Sequence, residues 1–192
     1  SRVRRVAFGI AGSNYDLSRT CNLRCEGCLF FEGPDHLAHP DDRDDAEWDA
    51  MFAAEAARGV NFAYLAGAEP ALQPRRLAMA ARHIGRGVIF TNGTVRIDPD
   101  LPFAIHVSLW GGVDDTALMR GGRSYDRAFR NFGRDPRARF VYTVNALNLD
   151  GVHEAAPRCA DLCARLSLSL FSPPRTSPAN LPAGPPAADP PS

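Results

Sequence analysis

Three of the chain's five cysteines crowd into eight residues, Cys21-Asn22-Leu23-Arg24-Cys25-Glu26-Gly27-Cys28. Spacing this tight lets one turn wrap a soft metal centre, and thiolate sulfur is the preferred ligand of iron–sulfur clusters. Three such ligands on a four-iron cube leave one iron without a protein sulfur. An open position of that kind suits a bound substrate or cofactor, whereas a purely electron-carrying cluster is usually ligated in full by protein. The competing arrangement is a zinc site completed by His36, although structural zinc sites pair two ligands close together with two more farther along. Cys159 and Cys163 stand four apart, on one face of an expected helix. Two thiols are too few for a second four-ligand site, and they read as core packing.

Composition narrows the chemistry further. All 22 basic residues are arginines, balanced by 22 acidic ones. That balance indicates neither nucleic acid nor a membrane surface as a partner. The absence of lysine excludes a Schiff-base lysine and a Walker-type phosphate-binding lysine. No run approaches the roughly 18 apolar residues of a membrane span. The basic N-terminus, followed by an apolar stretch broken by glycines, does not read as a secretory signal. An odd cysteine count with three clustered fits a reducing compartment better than a disulfide framework, so the expected localisation is cytoplasmic.

The elements that must position these cysteines follow from periodicity. With 192 residues the chain has room for one domain with a sizeable core. Val6, Phe8 and Ile10 alternate with small residues, predicting a short strand in an N-terminal extension, residues 1–12. Tyr15 to Ser18 reads as a strand leading into the cysteines. Asp41 to Asp45 is an acidic loop, and Asp44 or Asp45 can cap a helix through Trp48, Met51, Phe52 and Glu55 to Arg58, stopped by Gly59. Val60 to Ala66 is a predicted strand and Pro74 to Ile84 a helix, with Pro74 suited to its first turn. Gly87 to Phe90 is a strand followed by a loop through Thr91-Asn92-Gly93. Ala104 to Leu109 is a strand, Tyr125 to Phe132 helical, and Ala138 to Asn145 a strand. Val152 to Leu166 reads as a helix delayed by Pro157, and Leu168 to Phe171 as the last strand.

Strands alternating with helices in this way imply an α/β fold with a parallel sheet. Six strands make an open, partial (β/α)6 barrel of the TIM type over residues 13–171, short of the eight that close a full barrel. Residues 172–192 hold eight of the sixteen prolines and almost no large apolar side chains, which predicts a disordered tail. Two readings of this end stay open: a core that stops here, or a shortened copy of something longer.

The run Tyr15-Asp16-Leu17-Ser18-Arg19-Thr20-Cys21-Asn22-Leu23-Arg24-Cys25, continued to Cys28, resembles the radical S-adenosylmethionine (SAM) superfamily, whose signature is C-x3-C-x2-C just after the first barrel strand. Gly67-Ala68-Glu69-Pro70 resembles that family's G-G-E-P strand end, with Ala68 replacing the second glycine. The match implies that these four residues meet the methionyl amino group, Glu69 accepting from the ammonium. Thr91-Asn92-Gly93 is similar to the family's T-N-G. His106-Val107-Ser108-Leu109-Trp110-Gly111 looks like its S-L-D-G strand end, with Trp110 where Asp is frequent. There the resemblance implies that Ser108 faces the ribose or carboxylate of SAM. His106 alternates with Ser108 and is expected on the same lumen face, as a buried, satisfied histidine. The stretch Met119 to Phe129 is similar to the opening of the family's fourth helix; its Arg120 and Arg123 flank a glycine pair and are able to hold an anionic substrate group. Asn145, ending Thr143-Val144-Asn145, is implied to meet the ribose hydroxyls. Gly27 stands where an adenine-contacting aromatic is common, which leaves Leu29, Phe30 or the backbone for that contact.

The resemblance, running from about Tyr15 to Leu170, implies a [4Fe–4S] cluster on Cys21, Cys25 and Cys28. SAM would be cleaved reductively there to a 5′-deoxyadenosyl radical that abstracts hydrogen from a substrate, small molecule or peptide. A one-electron reductant, ferredoxin or flavodoxin, is the implied partner. The alternative is a truncated or degenerate relative that holds an iron–sulfur centre or zinc without turnover.

Overall fold

Strands such as Ala104–Leu109 alternate a buried apolar side with a more open one, and this period of two organises the molecule. The structure, a computed structural model, describes residues 9–25, 28, 30–31, 43–114, 120, 124–145 and 148–170. The expected strand through Val6 and Phe8, the positions Gly27, Leu29, His36 and Arg123, and the stretch 172–192 lie outside the described residues. The strands are β1 (Gly12–Asp16), β2 (Phe62–Ala66), β3 (Gly87–Thr91), β4 (Ala104–Leu109), β5 (Ala138–Val144) and β6 (Arg165–Leu170). They form one sheet in sequence order, every neighbouring pair parallel. This is an α/β fold with the strand order of a partial barrel, and the sheet is not closed.

Parallel neighbours need crossovers. Helix α1 (Asp45–Ala57) joins β1 to β2, α2 (Pro74–His83) joins β2 to β3, α3 (Ser124–Phe132) joins β4 to β5, and α4 (Val152–Asp161) joins β5 to β6. Between β3 and β4 the chain crosses without a helix, and buried Ile97, Leu101 and Phe103 cover the sheet there instead. Among the described residues no helix is long and apolar enough to cross a membrane.

One side of the sheet forms the core. Tyr15, Leu65, Ile89, Ile105, Val107, Phe140 and Tyr142 point toward Trp48 and Phe52 of α1, Leu77 of α2, Tyr125, Phe129 and Phe132 of α3, and Ala155 and Cys159 of α4. Phe129 stacks on Phe140 with ring centroids 4.4 Å apart. Burying each such side chain contributes about 1.5–3 kcal/mol, which is why the strands hold their register. The opposite side carries Asn14, Tyr64, Phe90, His106, Ser108, Arg139 and Thr143, all partly or well exposed.

Helix ends explain where expectation and structure part. Asp44 caps α1 in a capping box: its carboxylate accepts from the Glu47 amide at 2.9 Å, and Glu47 accepts from the Asp44 amide at 2.8 Å. At the far end the Gly59 amide donates to Ala56 and the Val60 amide to Glu55, a Schellman closure with Gly59 at φ 91°. Val60 therefore belongs to the helix stop, and β2 starts at Phe62 rather than at Val60. The strand expected from Tyr15 to Ser18 lies earlier, at Gly12–Asp16, because the Ser18 hydroxyl accepts from the Thr20 amide at 2.9 Å and turns the chain out of the ladder.

The largest shift concerns α4. It begins at the expected Val152 but without the delay that Pro157 suggests; the proline is accommodated within the helix at the cost of a single backbone donor. It ends at Asp161 rather than Leu166. Cys163 occupies the left-handed region at φ 53°; its amide donates to Ala160 and that of Ala164 to Cys159. This second Schellman closure lacks glycine, and β6 starts at Arg165, ahead of the expected Leu168.

Candidate functional site

The strand ends after β1, β2 and β3 bolt the cysteine turn in place. The Ala68 amide donates to the Ser18 carbonyl at 2.8 Å, and the Glu69 amide to the Thr20 carbonyl at 3.1 Å. Gly67 permits this approach: it sits at φ 118°, and a Cβ there would lie 2.7 Å from the Ser18 carbonyl oxygen. Past the strand end, Pro70 opens a short 3-10 turn, Pro70–Leu72.

Glu69 is buried, and its carboxylate faces inward. One oxygen accepts from the Thr91 hydroxyl at 2.7 Å and the Ala71 amide at 2.9 Å; the other accepts from the Asn92 amide at 2.7 Å. Of the roughly four acceptor positions of a carboxylate, one remains. Burial pushes its pKa up, against the pull of these donors. Glu69 thus ties the end of β2 to the end of β3.

Asn92 extends the tie to the cysteines. Its side-chain nitrogen donates to Asn22 Oδ1 at 3.0 Å and to Cys21 Sγ at 3.6 Å, while Asn22 donates to the Thr94 hydroxyl at 2.8 Å. The Leu23 amide also donates to Cys21 Sγ, at 3.4 Å. Within the turn Cys28 N–H donates to the Cys25 carbonyl and Phe31 N–H to the Cys28 carbonyl. The Arg24 guanidinium lies 4.2 Å over the Phe31 ring.

Arg120 is a buried cation close to these residues. It donates to the Ser108 carbonyl at 2.9 Å and lies 5.4 Å from the Trp110 ring centroid. Its charge is felt by Cys25, Glu69, Cys21 and Cys28 together. Burial raises the pKa of Cys25, which Arg120 pulls back down; burial raises that of Cys21, which the Leu23 amide opposes. Cys21, Cys25 and Cys28 are all free and half-buried.

Among the described residues no three His, Cys, Asp or Glu side chains are gathered around a single point where one metal ion would sit. A lone zinc needs all its sulfurs about 2.3 Å from one centre, whereas a cluster distributes its thiolates over separate irons. The donor set itself, three free thiols of one turn beside a buried guanidinium, fits a thiolate-ligated group, because the ligands must shed protons and the arginine offsets their charge.

The sequence-derived positions fall as follows. Gly67, Ala68, Glu69 and Pro70 stand at the end of β2, Ser108 in the last residues of β4, and Asn145 just past β5. Asn148, which is buried, holds that last corner: its Oδ1 accepts from the Asn145 amide at 2.8 Å, and its Nδ2 donates to the Thr143 carbonyl at 2.8 Å. His106 shares the face of Ser108, as expected, and meets Phe90 edge to face at 5.2 Å. It is half-buried, with no hydrogen bond to its ring among the described residues, so it is not the satisfied core histidine anticipated. Cys159 is buried in the core, while Cys163 lies past the helix end and is exposed. The two do not share a helix face, and they sit toward the N-terminal ends of the strands, away from the mouth.

Three site residues were not singled out as such from sequence: Asn92, read only as part of a turn, Arg120, read as a substrate-side arginine, and Asn148. The T-N-G run held the available signal. Gly93 is at φ 77°, and a Cβ there would lie 2.7 Å from Val107 and 2.8 Å from Ala128, so this turn is built for close contact. A separate cleft of about 970 Å³ opens beside α3 and α4, walled in part by the ion pairs Arg137–Asp135 and Arg158–Asp126. The chain matches no model of a known protein family, and no curated protein sequence matches it.

Proposed function

We propose that the chain is a radical SAM enzyme. One observation carries this reading: three free thiols on a single turn, anchored to the Gly67–Pro70 strand end and facing a buried arginine. A [4Fe–4S] cluster held by Cys21, Cys25 and Cys28 would supply the electron that cleaves SAM reductively, and the resulting 5′-deoxyadenosyl radical would take hydrogen from the substrate.

The chain's own residues have defined tasks in this reading. Ser18, Asn92 and Glu69 hold the turn rigid, so the thiols stay oriented between turnovers. Burial pushes the Cys25 thiol pKa up and Arg120 opposes that push, so the guanidinium would offset part of the thiolate charge. Gly67, Ala68, Glu69 and Pro70, with Ser108 and Asn145, provide the polar positions for SAM around the mouth. A ferredoxin or flavodoxin serves as the electron donor.

The test is anaerobic reconstitution with iron and sulfide, followed by dithionite and SAM. The expected result is a brown protein with about four irons per chain that forms 5′-deoxyadenosine, against none in the Cys21→Ala/Cys25→Ala/Cys28→Ala variant. Stoichiometric zinc without colour, or no deoxyadenosine above the triple variant, overturns the proposal.

A further inference from the structure

The side of the sheet left open by the helices is divided into two chemically distinct halves. On β2 and β3 it presents Tyr64 and Phe90, each 37% exposed, with Phe62 against Tyr64 at 5.0 Å. On β4, β5 and β6 it presents His106, Arg139 and Arg165. These three are consecutive partners in register, His106 beside Arg139 and Arg139 beside Arg165, with Phe90 the register partner of His106 on the other side. Neighbouring strands lie about 4.8 Å apart, so the three basic side chains share one level of the sheet, next to the aromatic wall.

Both guanidiniums are anchored but not neutralised. Arg139 donates to the Ser167 hydroxyl at 3.1 Å and Arg165 to the Pro136 carbonyl at 2.5 Å, and neither meets a carboxylate among the described residues. The one carboxylate that the described strand residues place on this face, Asp16, belongs to β1, three strands from His106. The His106 ring is edge-on to Phe90 and has its nitrogens open among the described residues. Burial, then Arg139 and Arg165, lowers its pKa, so at neutral pH it stands beside the arginines as a neutral donor–acceptor.

We propose that this face seats the substrate, and that the substrate is an amphipathic anion. Its carboxylate or phosphate group is held by Arg139 and Arg165 beside His106, and its apolar or ring-bearing body lies on Phe90 and Tyr64. Ser108 follows His106 by two residues, about 7 Å along the strand toward the mouth. A substrate gripped at the arginines must span at least that distance to present a carbon to the chemistry there. The inference deepens the proposed function by naming its substrate class, and rests on that reading for the substrate's fate but not for its binding.

The test uses the full chain without cluster or SAM. It is titrated with 4-phenylbutyrate, phenyl phosphate and 4-phenylbutylammonium, followed by calorimetry and by the arginine Nε–H signals in 15N–1H spectra. The expected result is saturable binding of at least one anion in the millimolar range or tighter, and none of the ammonium. Affinity should fall at least tenfold in Arg139→Gln/Arg165→Gln, persist in large part in Arg139→Lys, and be unaltered in Arg82→Gln on α2. The tighter of the two anions identifies a carboxylate or a phosphate as the natural head group. Equal binding of the ammonium, no saturable binding of either anion, or an unchanged affinity in the double variant overturns the seat. If the anions bind as described while deoxyadenosine formation fails, the seat stands and the radical reading falls; failure of binding alone removes only the seat.

Discussion

The side-chain amide of Asn92 donates to Asn22 Oδ1 at 3.0 Å, joining two residues 70 positions apart and holding the cysteine turn to the end of β3. Because the same nitrogen reaches Cys21 Sγ, the orientation of the first thiol depends on a side chain just past the end of β3. Asn92→Ala should leave the sheet folded, with a loss of about 1–2 kcal/mol. The reconstituted variant should lose iron to a chelator several times faster than the parent. Equal rates of iron loss would show that the turn is held by its backbone contacts alone.

Gly67 gives a sharper test of the anchor. In Gly67→Ala the new methyl meets the Ser18 carbonyl at 2.7 Å on a backbone already at φ 118°, so strain and collision add. The expected cost is about 2–4 kcal/mol, read from urea denaturation. Gly59→Ala, at φ 91° with nothing within 4 Å of the added atom, should cost only about 1 kcal/mol. Similar losses at the two sites would contradict the close docking of the turn.

Acid should weaken the base of β5 in a predictable window. Arg137 donates to Asp135 from its backbone amide at 2.9 Å, from Nε at 3.1 Å and from Nη2 at 2.7 Å, holding the carboxyl below its usual range. A depressed folded pKa stabilises fully above the unfolded value, about 3.9, and the contribution disappears as pH falls through the lower folded value. Asp135→Asn should therefore be less stable by about 0.5–1 kcal/mol at pH 7, allowing for partial exposure. The difference should shrink as pH falls below the unfolded value and vanish once the carboxyl is protonated in the folded protein as well. A gap that persists in acid would assign the effect to packing.

The end of α4 offers a stabilising change. Cys163 holds φ 53° without glycine, so Cys163→Gly should raise stability by up to about 1 kcal/mol, measured as a higher midpoint in urea. In the parent at pH 8 iodoacetamide should label Cys163 readily. Cys159 should be spared until unfolding, since it is buried and its pKa is pushed up to about 11 by burial. Rapid labelling of Cys159 would mean that α4 opens from the sheet.

What sequence reading captured is local. The cysteine spacing, the Asp44 cap and Gly59 stop of α1, and the alternation that bounds β4 at Ala104 and Leu109 are each written in a few adjacent residues. The parallel order followed from alternation of strands and helices. The end of α4 was hidden because its left-handed position carries a cysteine instead of glycine, and a proline inside the helix suggested a boundary that the backbone does not observe. Arg120, Asn92 and Asn148 act through contacts to the Ser108 carbonyl, Asn22 and the end of β5, and a linear reading cannot see which arginine the fold will bury or which asparagine it will turn inward. Glu69 is legible as a residue, but two of its partners, Thr91 and Asn92, lie at the end of the neighbouring strand.

The docking of the Ser18–Thr20 backbone on Ala68 and Glu69 makes occupancy and rigidity two sides of one equilibrium. Whatever the three sulfurs grip must draw the first three strands tighter, and by reciprocity anything that loosens those strands weakens the grip. The loaded protein should therefore melt higher than the empty one, and amides of β1 to β3 should exchange more slowly while distant α4 changes little.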